Sequence, residues 1–375
     1  MTSYVSLLSG DPAPWFKQRT SANPRFAFDT TAGRYLVLCF FATAADPHSR
    51  AAIDAALARR DIFNDEKASF FGVSLDPKDE ADKRVADRAP GVRFFWDFDA
   101  SASALYGVVP IDAADSLGQV TALRRWVVID PTLRVIDVIP FAPDRSDIEA
   151  ALSLVENLPP PLSFPGFEVS APVLVLPNVF DRDFCRELVG LYEAHGGEES
   201  GFMREIDGKT VGVNDHSHKR RRDYTIEDKA IIDRTKAYVQ RRVAPEILKI
   251  HQFNVTRMER YIVSCYDAAE EAHFRAHRDN TTSGTAHRRF AVSINLNDDF
   301  DGGEVMFPEY GKRTYKAPVG GAVVFSCSML HAVTKVTRGR RFAFLPFLYD
   351  DAAARLRERN NARLGEGVGA YQSGK

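Results

Sequence analysis

His277 and Asp279, in the segment AHFRAHRDN, stand two residues apart. On an extended strand that spacing turns both side chains to one face and toward one point, where an imidazole and a carboxylate can chelate a metal ion. A second imidazole would complete a facial set of two histidines and one carboxylate, leaving neighbouring coordination positions open to a bidentate cosubstrate and O2. His331, within SMLHAVTKV, follows an apolar strand that can return the chain to the same end of a barrel, and it is the candidate third ligand. Alone, an HxD pair is a weak signal, because surface strands carry both residues by chance. Its context is stronger. On the next predicted strand stands Arg341, whose planar guanidinium matches a carboxylate in bidentate fashion, as a dicarboxylate cosubstrate would require.

The elements that must position these residues form two groups. From about residue 258 the chain runs in short alternating strands (ERYIVSCY, AHFRAHRD, RRFAVSINL, EVMFPEY, GGAVVFSC, HAVTKVT, RRFAFLPFLY) separated by Gly, Asn and Asp turns, the pattern of an antiparallel barrel or sandwich. Before them, an Asp-capped helix is predicted over 181–195 and a long helix over 226–250. The first group differs. A buried strand over 35–41 (YLVLCFF), a helix over 48–60, strands over 69–74, 92–96 and 125–130, and helices over 78–87 and 146–158 read as α/β. The second of those last two helices ends at Pro159-Pro160-Pro161, an extended spacer. The predicted organisation is therefore a first domain over 1–158, a linker over 159–165, a second domain over 166–350, and a charged helix and tail over 351–375.

Lys plus Arg number 49 and Asp plus Glu 51, so no overall field selects nucleic acid or an anionic membrane. The N-terminus lacks a basic segment followed by an apolar run, and no long uncharged apolar stretch occurs, so the expectation is a cytoplasmic protein without membrane association. Cys39, Cys185, Cys265 and Cys327 are scattered and form no CxxC pair, which argues against a disulfide framework or a structural zinc site.

The segments RYIVSCYDAAEEAHFRAHRDN, DGGEVMFPEYG and GGAVVFSCSMLHAVTKVTRGRRFAFLPF together resemble the Fe(II)/2-oxoglutarate oxygenase superfamily, prolyl 4-hydroxylase type, over roughly 170–350. The resemblance implies a double-stranded β-helix (jelly roll) with flanking helices. It also implies Fe(II) held by His277, Asp279 and His331, and 2-oxoglutarate whose distal carboxylate meets Arg341. Hydroxylation would use O2 and release succinate and CO2, and the substrate would be a small molecule, a free amino acid or a peptidyl side chain. An aromatic hydroxyl before the HxD often assists in this family. Tyr266 and Tyr261 are the candidates; they fall on opposite strand faces, and Tyr266 is preferred. The run HSHKRRRDY (His216, His218, Lys219, Arg220, Arg221, Arg222) reads equally as a guide for an anionic or peptide substrate and as a solvated charge run. His273 and His287 lack ligand spacing and are expected to make ordinary hydrogen bonds, and Asn280 to contact substrate or fix a turn.

Over 1–158, SGDPAPWF, RYLVLCFFATAADPHSR and RRWVVIDPTLRVIDV resemble the thioredoxin-fold peroxiredoxin and thiol-disulfide families. There a helix N-terminus lowers the pKa of a reactive Cys. Aligned as a peroxiredoxin, that position falls near Ser49; aligned as a CxxC protein, the thiols become Ala45 and His48. Cys39 lies inside a strand, and Arg124 or Arg125 marks the family's Arg position without a thiol beside it. The implied module is redox-silent and available for homodimerisation, substrate docking or covering the oxygenase entrance. The competing reading is a redox or peroxide-related binding protein built on this domain, with the barrel as a ligand-binding module.

Overall fold

The computed structural model describes residues 3–111, 121–365 and 368–372. Contacts divide the chain into two compact units, and the division in the linker region falls between Ser170 and Ala171. Within the spacer, Pro161–Ser163 forms a 3-10 turn instead of running fully extended.

The first unit is a five-stranded sheet. Its strands are β1 (Tyr35–Ala42), β2 (Ala68–Ser74), β3 (Val92–Trp96), β4 (Arg125–Ile129) and β5 (Val135–Pro140). β1, β2 and β3 run parallel, while β4 is antiparallel to β1 and β5 to β4, a thioredoxin-like arrangement. Helices α1 (Pro47–Ala58) and α2 (Ser146–Asn157) follow β1 and β5 in the chain. β1 and β2 are buried along almost their whole lengths, which is why they read as continuous apolar runs rather than alternating ones. Asp46 caps α1 by accepting from the Ser49 amide, and Pro47 opens the helix where its missing N–H costs nothing. The helix predicted over 78–87 is shorter, Pro77–Ala81.

The second unit begins with α3 (Arg182–His195), capped by Asp181 and closed by Gly196 at φ 91°. β6 (Lys219–Arg220) and β7 (Arg222–Thr225) come next, then α4 (Lys229–Arg242) and α5 (Ala244–His251). The single helix predicted over 226–250 is two helices, because Pro245 cannot donate to the turn before it and starts a new helix instead. The barrel strands are β8 (Ile262–Asp267), β9 (His273–His277), β10 (Phe290–Asn295), β11 (Val305–Met306), β12 (Ala322–Ser326), β13 (His331–Val333), β14 (Arg340–Phe344) and β15 (Phe347–Tyr349). They form two antiparallel sheets, the jelly roll of a double-stranded β-helix. The larger contains the neighbours β15, β10, β14, β8 and β7, with β12 beside β10; the smaller runs β6, β9, β13, β11.

Alternation along the larger sheet sorts its side chains. Val263, Cys265, Val292, Ile294, Phe342 and Phe344 join Phe184, Leu188 and Val239 of the helices in one buried apolar cluster. Each such side chain contributes on the order of 1.5–3 kcal/mol of burial. The residues between them, Ser264, Tyr266, Ser293, Asn295 and Arg341, therefore face the other way, into the barrel, and all five are buried. A buried polar face of this kind requires partners or a ligand.

Candidate metal and cosubstrate site

β9 and β13 are neighbours, with His277 directly opposite His331. A register shift between Phe274 and His277 inserts one residue into β9, and this bulge brings the Phe274 and His277 rings together, stacked with centroids 3.5 Å apart. Asp279 lies just past the strand end, where its amide donates to the Cys327 carbonyl. Its carboxylate stands 3.5 Å from His277 Nε2 and 3.3 Å from His331 Nε2. One ligand atom from each of the three lies within 4.8 Å of the others, the one such grouping of three or more metal-competent side chains among the described residues.

The ring orientations are fixed from behind. His277 Nδ1 lies 2.7 Å from the Arg275 carbonyl and His331 Nδ1 lies 3.1 Å from the Met329 carbonyl. A carbonyl only accepts, so each Nδ1 carries the proton and each Nε2 presents a lone pair to the shared centre, as a metal ligand must. Burial, then the neighbouring His331, pushes the His277 pKa down to about 4. Burial alone would raise the Asp279 carboxyl, but His331 and His277 hold it well below the usual carboxylate range. The His277 imidazole is thus unprotonated and the Asp279 carboxylate ionised, the states a divalent transition metal takes, and His331 turns its Nε2 to the same centre.

Arg341 lies directly opposite Tyr266 across β14 and β8, its guanidinium carbon 5.4 Å from the Tyr266 ring centroid. Its side chain is held from β10: Nε donates to Asn295 Oδ1 at 3.0 Å and Nη2 to Ser293 Oγ at 2.7 Å. Only 2% of Arg341 is exposed, and its Nη1 has no protein partner. Burial lowers its pKa, with no carboxylate bonded to it in compensation. Gly303, in the GGE turn, leaves room for the Arg stem. Its φ is +65°, and a Cβ there would meet Arg341 Cδ at 3.0 Å and Val336 Cγ2 at 2.7 Å. A buried guanidinium with one free edge fits the far carboxylate of a dicarboxylate cosubstrate.

Tyr266 and Tyr261 separate as their odd spacing requires. Tyr266 is buried with its hydroxyl 3.3 Å from Arg221 Nη1, whereas Tyr261 packs against the apolar helix-side cluster and donates to the Met258 carbonyl. Asn280 fixes a turn by donating to Ser328 Oγ at 2.7 Å. His273 bonds to the Glu271 carbonyl, and His287 stands 3.1 Å from Glu259, so neither joins the metal grouping.

The basic run is not a uniformly solvated charge run, since part of it is buried. It is the crossing strand between the two sheets: Lys219 and Arg220 pair with β9, and Arg222 onward pairs with β8. Lys219 and Arg221 are each 5% exposed, while Arg220 and Arg222 face outward. The His218 ring lies 6.4 Å from that of His277, and burial takes its pKa down to about 4. Sequence reasoning also missed Ser293 and Asn295; two polar residues two apart inside the apolar run FAVSIN were the available signal.

In the first unit, Ser49 donates to the Phe41 carbonyl, and Arg124 bonds both Ser49 Oγ, at 3.1 Å, and the Asp46 carboxylate. His48 and Trp126 both reach Asp147, at 3.1 and 2.8 Å. Cys39 is fully buried, which pushes its thiol well above the ordinary range.

Residues 261–349 match the family model of the 2OG-Fe(II) oxygenase superfamily, and residues 9–138 match that of the AhpC/TSA family. The chain is similar to a PKHD-type hydroxylase of Cupriavidus metallidurans, with 41% identity over 80 residues, or 19% of this chain and 35% of that protein. A PKHD-type hydroxylase of Paracoccus denitrificans is 44% identical over 79 residues, again 19% and 35%. The chain thus spans about a third of the length of these curated relatives. Among solved structures it is similar to a Pseudomonas putida prolyl-4-hydroxylase, with TM-score 0.34, 16% identity, and 47% of this chain and 91% of that chain covered. It is also similar to a peroxidoxin of Mycobacterium tuberculosis, with TM-score 0.33, 22% identity, and 41% and 99% covered. No helix among the described residues is long and apolar enough to cross a membrane.

Proposed function

We propose that the second unit is an Fe(II)- and 2-oxoglutarate-dependent dioxygenase that hydroxylates its substrate and releases succinate and CO2. The observation that carries this reading is the convergence of two Nε2 lone pairs and one ionised carboxylate on a single centre, in a barrel that also buries a guanidinium with one free edge. His277, Asp279 and His331 hold the metal, and their backbone bonds keep the imidazoles in the ligating tautomer. Arg341, steadied by Asn295 and Ser293, takes the far carboxylate of 2-oxoglutarate, with the Tyr266 hydroxyl beside it. When bound, the metal and cosubstrate supply O2 activation coupled to oxidative decarboxylation. The protein supplies position: the buried walls exclude water, and no side chain serves as nucleophile or general base. The substrate is a free amino acid or a peptidyl side chain, and the first unit, lacking an activated thiol, docks that substrate or a second copy of the chain rather than reducing peroxide.

Anaerobic addition of Fe(II) and 2-oxoglutarate should give a weak visible charge-transfer band that His277→Ala abolishes. No band in the native protein, or an unchanged band in the variant, would sink the assignment. Peroxide consumption by the intact protein that survives His277→Ala would instead favour the first unit as the reactive part.

A further inference from the structure

A second group of charges, which the proposed chemistry does not use, touches the Tyr266 hydroxyl and the Phe274 ring. Lys219 extends over the Phe274 ring, 5.1 Å from its centroid, and that ring stacks on His277. Its ammonium donates to Ser200 Oγ at 2.8 Å and to the Gly201 carbonyl at 2.5 Å. Arg221 donates through Nη2 to Asp223 at 2.7 Å and to Ser200 Oγ at 3.2 Å, and through Nη1 to the Tyr266 hydroxyl. Its Nε is buried without a partner. Arg260 approaches the same Asp223 carboxylate at 3.5 Å from a backbone φ of 66°, a left-handed conformation that a non-glycine residue adopts only at some expense.

The charges do not balance. Three cations surround Asp223, and the other carboxylate acting on them, Asp279, belongs to the metal grouping. On the dioxygenase reading, the near end of 2-oxoglutarate is neutralised at the metal and its far end at Arg341, so neither relieves the excess. Lys219 and Arg221 are buried and Arg260 is partly buried, and positive charge so placed without a matching anion is costly unless something arrives to pair with it. The surroundings register that cost: burial and then Arg221 push the Lys219 ammonium well below its usual pKa, and burial and then Arg221 take Arg260 down to about 10.

We infer that Lys219, Arg221 and Arg260 form an anion subsite that receives a carboxylate of the substrate, fixing which carbon is presented to the metal. The inference rests on the dioxygenase reading and adds to it a substrate class: carboxylate-bearing molecules, not neutral ones. The carboxylate could come from a free amino acid or from an acidic side chain in a peptide; both offer the same two oxygens to a guanidinium and an ammonium.

Acetate is the minimal probe, with acetamide as its neutral isostere. In anaerobic calorimetric titrations of the full chain loaded with Fe(II) and 2-oxoglutarate, acetate is expected to bind in roughly the millimolar range and acetamide not at all. Lys219→Met should weaken acetate binding by about tenfold while leaving the 2-oxoglutarate affinity nearly unchanged. Arg260→Gln provides the same readout if Lys219→Met fails to fold. Acetate that does not bind, acetamide that binds equally, or a variant that loses 2-oxoglutarate instead of acetate would each overturn the inference; the last would assign the cations to the cosubstrate. Should the native protein show no charge-transfer band yet still bind acetate with this selectivity, the dioxygenase reading fails while the anion subsite stands. Competition against acetate then separates the sources. Glycine displacing it points to free amino acids, an amidated peptide with one internal Asp points to peptides, and displacement by neither rejects a substrate site.

Discussion

Both units place an arginine beside the position where their fold families do chemistry, yet the two arginines are held in different ways. Arg124 in the first unit closes on Asp46 and on Ser49 Oγ, and Ser49 is itself spent on the Phe41 carbonyl. Arg341 in the second is anchored through Nε and Nη2 but keeps Nη1 buried and unpartnered. Because an unsatisfied buried donor costs roughly 1–3 kcal/mol, such an atom persists where a ligand will meet it. A residue spent on its neighbours has structure as its occupation; the one held open is the one we propose for chemistry.

The largest test of the contrast removes a metal ligand. His277→Ala should abolish iron retention and substrate-dependent succinate formation together, while the melting of the first unit stays unchanged. Iron content after desalting and a succinate assay read the two effects. Retained iron with normal turnover would break the distinction, since the open site would then be doing nothing.

Glu259 offers the opposite case within the second unit, a buried carboxylate fully committed to structure. It accepts from Arg288 Nε at 2.8 Å and pairs with Arg357 at 2.8 Å, tying the helix Asp351–Arg359 to the barrel. Burial would raise its carboxyl, but Arg288 and His287, with Arg357, hold it far below the ordinary carboxylate range. Glu259→Gln should therefore destabilise the fold by about 2 kcal/mol at neutral pH, because it leaves two partly buried cations short of a partner. A folded-state pKa below the unfolded one gives stability that is complete above the unfolded value and lost as pH falls through the folded value. The gap between native and variant in urea unfolding should shrink on acidification below about pH 4.5 and stay constant above it. A gap that widens in acid would contradict the assignment.

Arg341→Gln comes next. It keeps the bonds to Asn295 or Ser293 within reach but removes the free edge, so 2-oxoglutarate should bind about thirtyfold more weakly, near 2 kcal/mol, with little change in melting temperature. An unaltered 2-oxoglutarate affinity would mean that the unpartnered Nη1 has another purpose.

How much of this could be read from the residues depends on what each signal needs. The HxD spacing and the later His331 are local patterns with a fixed chemical purpose, and parity alone separated Tyr266 from Tyr261. The basic run resisted because alternation only acquires meaning once the strand's two neighbours are known. Residues 219–225 cross from one sheet to the other, so Lys219 and Arg221 turn inward at a place where composition shows only charge. Ser293 and Asn295 were hidden for a related reason: their task exists only after Arg341 is brought across from a distant strand. The break at Pro245 was local and available, since a proline inside a helical pattern ends it.

The subtlest test asks whether the first unit is silent only for want of sulfur. Ser49 sits in the first turn of the helix Pro47–Ala58, where the helix dipole favours an anion, and Arg124 lies 3.1 Å from its hydroxyl. Ser49→Cys restores the thiol but leaves Arg124 engaged by Asp46, whose carboxyl is held below the ordinary range by its bonds to the Ser49 amide and Arg124 despite burial. The carboxylate cancels the arginine's field at the new sulfur. Asp46→Asn keeps a helix-capping oxygen while removing the charge, so Arg124 is freed to face the thiol. The thiol in the double variant should therefore titrate about one pH unit lower than in Ser49→Cys alone, worth about 1.4 kcal/mol. Thiolate absorbance followed against pH would measure the difference. Coincident titrations would show that the Asp46–Arg124 pair does not keep this site closed, and the contrast between the two arginines would then reduce to the missing sulfur.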